Sequence, residues 1–322
     1  MAHTFGQALE IGLALPFVDM SFQHWEDTLP DKWEYAAGTP TGTHGKDRGF
    51  DLTPSLKISD TGQITSTPDN RLHQEIVLPD WIENGQEVRG GGCFFNNYGG
   101  SAGISQTVVK LLQNSGAHQI INNGYANATG WAIHTYNSAT PISTSYTDLI
   151  IDLELRSYNP GTPETDPAGA WDCLFFEIGR TIASRYDTLT HFPEFHPNLI
   201  ESFMPGRKSE RGGRGKRRSY DRMGGAVKWR VTLPFVNVPA SFVEILEEYF
   251  IHNKGLDDQT RKPLVLHHHL TDPSAAHTTG HEYLKTPPWI ICDIVEEKWP
   301  FRPSGAYLGA GMYSGTLTFE EI

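Results

Sequence analysis

The chain has 322 residues and a formal net charge of −12, which is long enough for two domains that each bury a core. That acidic balance excludes a protein whose whole surface grips nucleic acid, because phosphate neutralisation needs a basic face. With 32 Gly, 21 Pro and 11% aromatic residues, and few long amphipathic helical patterns, the composition predicts a mainly β chain of short strands joined by turns.

The opening stretch MAHTFGQALEIGLALPFVDM lacks a basic start, and Glu10, Gly12 and Pro16 break its apolar run. It therefore reads neither as a signal peptide nor as a membrane span, and the expectation is a soluble protein made in the cytoplasm. From Leu15, LPFVDMSFQHWEDTLPDKWEYAAGTP predicts strand, turn and strand, with Trp25 and Trp33 in the core. Half-buried strands follow at 55–67 and at 71–81, where Leu72, Gln74, Ile76 and Leu78 share one face. The segments 91–100, 107–113, 130–137, 147–159 and 170–182 continue the series at sandwich-like spacing. Cys93, Cys173 and Cys292 lie far apart beside apolar residues, which predicts buried free thiols.

The order of these pieces (SFQHW, then SLKIS, an alternating strand with Gln74, Trp131 with Tyr136, and a closing LFFEIG strand) resembles the galactose-binding-like jelly roll of carbohydrate-binding modules, over roughly residues 15–182. The resemblance implies sugar binding by aromatic rings stacked on pyranose faces. Trp81, Tyr98, Tyr125, Trp131 and Tyr136, in or beside Asn-rich loops, are the candidate rings. It also implies a structural calcium between the first and last strands, at the positions of Gln23 and Glu177.

Beyond Ile182 a proline-containing connector leads into PGRKSERGGRGKRRSYDRM. Arg207, Lys208, Arg211, Arg214, Lys216, Arg217, Arg218 and Arg222 stand there against only Glu210 and Asp221, about +6, which leaves about −18 on the remainder. Lacking apolar anchors, the run predicts a flexible inter-domain assembly arm that either stays solvated or lies on an acidic face of an adjacent subunit. Nucleic acid is not the expected partner, because Tyr220 is its one aromatic residue. Residues 226–238 then alternate as a strand. Phe242, Ile245, Leu246, Tyr249 and Phe250 recur at helical spacing up to a stop at Lys254-Gly255, and strands are predicted at 262–270, 288–301 and 313–322.

That strand, helix and strand-rich order, with PLVL and a terminal GTLTFEE, resembles tail-tube-fold and minor tail proteins of tailed bacteriophages, over roughly residues 226–322. The resemblance implies a small β-barrel or sandwich with one flanking helix, ring-like homo-oligomers, other tail proteins as partners, and a place in the virion after synthesis in the host cytoplasm.

No catalytic constellation emerges. His267, His268 and His269 would alternate faces in a strand, and the HxxxH spacing of His277 and His281 sits in a stretch unsuited to a helix. Glu75, Glu87, Asp152, Glu154 and Glu177 are the acids that a glycosidase would have to pair. The expected architecture is a jelly roll at 1–185, a connector with the basic arm at 186–225, and a tail-tube-like domain at 226–322. The expected function is a structural protein of a phage tail tip or baseplate that displays a jelly roll to host surface glycan. The alternatives are a polysaccharide hydrolase or depolymerase, and a carbohydrate-binding accessory module of a non-viral protein.

Overall fold

A computed structural model describes residues 9–26, 29–35, 43–48, 54–59, 63–64, 71–96, 103–112, 118–126, 130–137, 141–143, 145, 147–157, 164–165, 168–181, 186–189, 202–205, 207–211, 217–221, 227–267, 287–304 and 311–322. The protein is mainly β, with one helix among the described residues. The described residues group into two compact units, one from Gly12 to Tyr186 and the other combining Leu9–Ile11 with most of the chain after Asp187.

The first unit is built from β1 (Leu9–Ala14, by its second half), β2 (Thr43–Arg48), β3 (Pro54–Ser59), β4 (Arg71–Val77), β5 (Arg89–Asn96), β6 (Gly103–Leu112), β7 (His118–Ala126), β8 (Gly130–Asn137), β9 (Asp148–Ser157) and β10 (Ala168–Ile178). All of its ladders are antiparallel. One sheet runs β8-β5-β10, and β10 carries β3 and β1 along its other edge; the second runs β7-β6-β9-β4. β6 and β7 pack against β5 and β8, so the two sheets form a curled jelly-roll sandwich. Leu56, Phe94 and Trp171 form one fully buried row across β3, β5 and β10.

Between its contacts with β3 and β1, the edge of β10 bulges. Asp172 pairs with Cys93 and Phe175 with Gly91, so β10 carries one extra residue. Cys173 takes a positive φ of 48° there, while its N–H donates to Asp172 Oδ1 at 2.8 Å and the Leu174 N–H donates to the Met20 carbonyl at 2.9 Å. The segment expected as a strand from Leu15 is instead a folded loop, because Asp19 (φ 51°) and Phe22 (φ 53°) turn the chain. The strand lies before it, at Leu9–Ala14, where burial on both faces removes the alternation that would have announced it.

A buried ion pair ties three strands together. Arg89 on β5 and Glu177 on β10 stand directly opposite in register, and the Arg89 Nε donates to Glu177 Oε1. The Tyr186 ring covers the guanidinium at 3.6 Å, and Ala14 of β1 is the partner of Glu177 on its other side. Gly12 is required at this point, since a Cβ there would overlap the Glu177 carboxylate.

The second unit orders β11 (Asp187–Leu189), the first half of β1, β16 (Leu264–His267), β17 (Trp289–Ile294), β18 (Met312–Glu321), β15 (Val227–Pro239) and β12 (Ser202–Pro205). β13 (Arg207–Arg211) and β14 (Arg217–Asp221) pair only with each other, as a hairpin. The connector expected at 186–225 therefore contains four short strands, too brief and too polar to show a period. The basic run is a paired ribbon over its described residues, where a flexible arm was expected.

The helix α1 (Ala240–Lys254) follows the sequence expectation closely. Phe242, Leu246, Tyr249 and Phe250 are its buried stripe against β15, β17 and β18, and Gly255 ends it at φ 63° with its N–H on the His252 carbonyl. Asn253, fully buried, links the helix end to the sheet: its Nδ2 donates to Asp293 Oδ1 (2.8 Å) and to the Lys262 carbonyl (3.1 Å), and its Oδ1 accepts the Ile294 N–H (2.9 Å). The three cysteines are buried, and none is joined in a disulfide.

Two substitutions test these constraints. Arg89→Ala strands a buried carboxylate and is expected to cost about 3–5 kcal/mol in chemical denaturation, whereas Arg89→Met with Glu177→Leu recovers most of that loss. Asn253→Ala leaves buried donors and acceptors unmatched and is expected to cost about 1–3 kcal/mol, read the same way.

Candidate functional site

Register places a row of residues across the first sheet on the face opposite the buried Leu56–Trp171–Phe94 row. Lys57 on β3 stands opposite Ala170 on β10, Ala170 opposite Phe95 on β5, and Phe95 opposite Trp131 on β8. Lys57, Phe95 and Trp131 are half-buried, Ala170 is small and buried, and the Phe95 and Trp131 rings meet at 5.6 Å with a 52° tilt. β8 is the edge strand of this sheet. The result is an aromatic shelf beside a low step at Ala170, with an ammonium-bearing side chain along the same row. An apolar ring face beside a hydrogen-bond donor is the chemistry a pyranose requires.

Of the four proposed rings that lie among the described residues, Trp131 alone lies in this row. β8 pairs with β5 without a break, so Tyr136, five residues further on and opposite Gly90, belongs to the other face of the strand. Tyr125 is on β7 in the second sheet, opposite Gln106. Trp81 is half-buried in the turn that the Ile82 N–H closes on the Pro79 carbonyl, and Tyr98 lies outside the described residues. Phe95 was missed because it sits in an unbroken CFF run. Its signal is parity: Phe94 is buried among the core and Phe95 must face the other way.

The calcium implied at Gln23 and Glu177 does not fit. Glu177 is fully buried and its charge is met by the Arg89 guanidinium, a cation built into the chain. Among the described residues no group of three metal-binding side chains occurs. His267 is buried with its ring 6.2 Å from that of Trp289, while His268, His269, His277 and His281 lie outside the described residues.

The carboxylates weighed for hydrolysis are spread over both sheets. Glu75 is exposed on β4, Asp152 is buried on β9 opposite His73, Glu154 is opposite Arg71, Glu87 is half-buried, and Glu177 is sealed from solvent. A sealed carboxylate cannot reach a substrate. Of the basic arm, Arg207, Lys208, Arg211, Arg217 and Arg218 are on the hairpin, and Arg214, Lys216 and Arg222 lie outside the described residues.

Asp19 carries the clearest electrostatic signature of the first unit. Burial raises its carboxyl from 3.8 to about 6, against the lowering effect of the N–H groups of Gln23 and His24, at 2.8 Å and 3.2 Å. The folded chain thus holds this proton more tightly than the unfolded chain does. The associated stability is complete below 3.8 and is lost as pH rises through about 6.

No family model and no curated protein matches the chain. Solved structures share part of its course. The CBM22-1 xylan-binding domain from Paenibacillus barcinonensis Xyn10C is 17% identical over 54% of this chain and 97% of that one, with a TM-score of 0.34. The enzymatically active domain of bacteriophage CBA120 tailspike protein 4 is 11% identical, with a TM-score of 0.35; the match covers 50% of this chain and 21% of that domain. A structure described as CBM4 is 17% identical over 50% of this chain and 95% of its own, with a TM-score of 0.34. No helix among the described residues is long and apolar enough to cross a membrane.

Asp19→Asn keeps an acceptor for the two N–H groups and removes the titration. The wild-type thermal midpoint is expected to fall relative to that of Asp19→Asn as pH rises from about 4 to 7. Parallel pH profiles for the two proteins would contradict the assignment.

Proposed function

We propose that the chain is a structural protein of a phage tail tip or baseplate, of the distal-tail or minor-tail type, whose jelly roll binds host surface glycan while the second unit assembles with copies of itself and with other tail proteins. The observation that carries the glycan half is the half-buried Phe95–Trp131 ring pair at the edge strand, with Lys57 further along the same register row. The assembly half is supported by the course of β15, α1, β16, β17 and β18, which follows the strand–helix–strand order on which the tail-protein resemblance rests. The segregation of positive charge onto one hairpin of an acidic chain adds to it. In this reading the protein is made in the host cytoplasm, joins the virion and acts by binding.

The glycan half is tested by presenting the full chain to an array of bacterial surface polysaccharides and plant xylans. Binding is expected for at least one glycan class. Trp131→Ala should weaken it about tenfold, as the loss of one aromatic contact and its buried area implies, with little change in thermal midpoint. Affinity that survives in Trp131→Ala, or no binding anywhere on the array, would contradict the reading.

A further inference from the structure

The hairpin β13–β14 and the helix α1 belong to the same unit and are rich in residues of opposite charge. In the hairpin ladder Arg207 faces Asp221 and Glu210 faces Arg218, but Arg211 faces Arg217 at the end furthest from the chain's entry. Like charges directly opposite on paired strands are destabilising. A two-stranded ribbon with no further strand to pair with is marginal by itself. On α1, Glu244 and Glu247 are exposed and Glu248 is half-buried, at spacings that place them on one face. No Lys or Arg stands one turn away to relieve Glu244 or Glu247, since the neighbouring turns hold Ala240, Ser241, Val243, Phe250 and Ile251.

These two features lie at opposite ends of β15. Pro205 of β12 pairs with Val227, so the hairpin leaves the sheet at the Val227 end, whereas α1 begins at Pro239. The 13 residues of β15 span about 40 Å, and Glu244 lies only about 7 Å along the helix from its start. The hairpin strands have five residues each and reach about 20 Å with their linker, so even folded straight back the Arg211/Arg217 end stops short of Glu244. No substantial packing joins the hairpin to any other described element.

We propose that the basic end of β13–β14 docks on the Glu244/Glu247 face of α1 of a second copy of this chain. The proposal rests on the assembly half of the reading above and names its contact. Because the two surfaces differ, the contact either closes as a reciprocal two-fold dimer or propagates head-to-tail around a ring or along a filament. Charges at the rim of such a contact are screened by salt, so association weakens as ionic strength rises.

The test is sedimentation of the full chain at low and high salt, with two charge-reversed variants, R211E/R217E and E244K/E247K. The hairpin variant keeps a like-charge pair at 211/217, so it probes the contact and leaves the hairpin's own strain in place. Wild type is expected to grow in mass with concentration, roughly tenfold more weakly in high salt. Each variant alone should remain monomeric, and an equimolar mixture of the two should associate, because each then offers the charge that the other needs. Monomeric wild type at all concentrations would overturn the proposal, as would unchanged association of either variant or a mixture that stays monomeric. So would a fall in melting temperature without a change in mass, which would place the contact within one chain. Salt-dependent binding of duplex DNA by a monomeric wild type would assign the hairpin to nucleic acid instead. If a variant fails to fold by circular dichroism, the milder pair R211S/R217S and E244Q/E247Q replaces it, with loss of wild-type association as the expected result. Glycan binding, read on the same variants, is expected to be unchanged, so failure of the array and failure of this contact are distinguishable.

Discussion

The buried pairing of Arg89 with Glu177 is the constraint on which the first unit depends. A strand slipped by one residue turns every side chain to the wrong face, and here a slip would also leave two charges buried and apart. A slip of two residues would keep every side chain on its own face, and the buried charge pair penalises that slip as well. Gly12 and Tyr186 close the pair from β1 and from the end of the unit, which brings the start and finish of the sandwich to one point. A few residues beyond Glu177 toward the start of β10, the bulge at Cys173 shifts the ladder by one. The ladder beyond it then sets Ala170 against Phe95 and Lys57.

The aromatic row is a consequence of that register. β10 contributes almost no side chain to it, only Ala170, and its neighbours contribute Lys57 and Phe95. Trp131 joins from the edge strand, where one flank of the ring is not covered by a further strand of that sheet. The same alternation that buries Trp171 and Phe94 thus leaves Phe95 and Trp131 half-buried on the opposite face, because adjacent residues on a pleated strand take opposite faces. A binding shelf on a jelly roll requires no added loop, only a register that leaves large residues on the half-open face.

Much of this was legible in the sequence where a period survives. α1 announces itself through Phe242, Leu246, Tyr249 and Phe250 and stops at Gly255; β4 does so through Leu72 and Gln74 on one face. β1 did not, because LEIGLA is buried on both faces and shows no alternation. Sites were harder to read than elements. Trp131 stands out as an aromatic in a polar strand, yet grouping it with Tyr136 and Tyr125 failed on parity and on sheet membership, which only pairing reveals. Glu177 resembled a metal ligand until Arg89, 88 residues earlier, proved to be its counter-charge. The connector hid β11, β12 and the hairpin, since strands of three to five residues carry too few positions for any pattern.

The central claim is that register, set by a buried ion pair, presents Phe95 and Trp131 as a sugar-binding shelf. The most direct measurement is a structure of the full chain with an oligosaccharide selected from the glycan array. The account predicts a pyranose face packed on the Trp131 ring, with a hydroxyl within hydrogen-bonding distance of Lys57 Nζ. An oligosaccharide bound elsewhere on the sandwich, with the Trp131 ring uncovered, would contradict it.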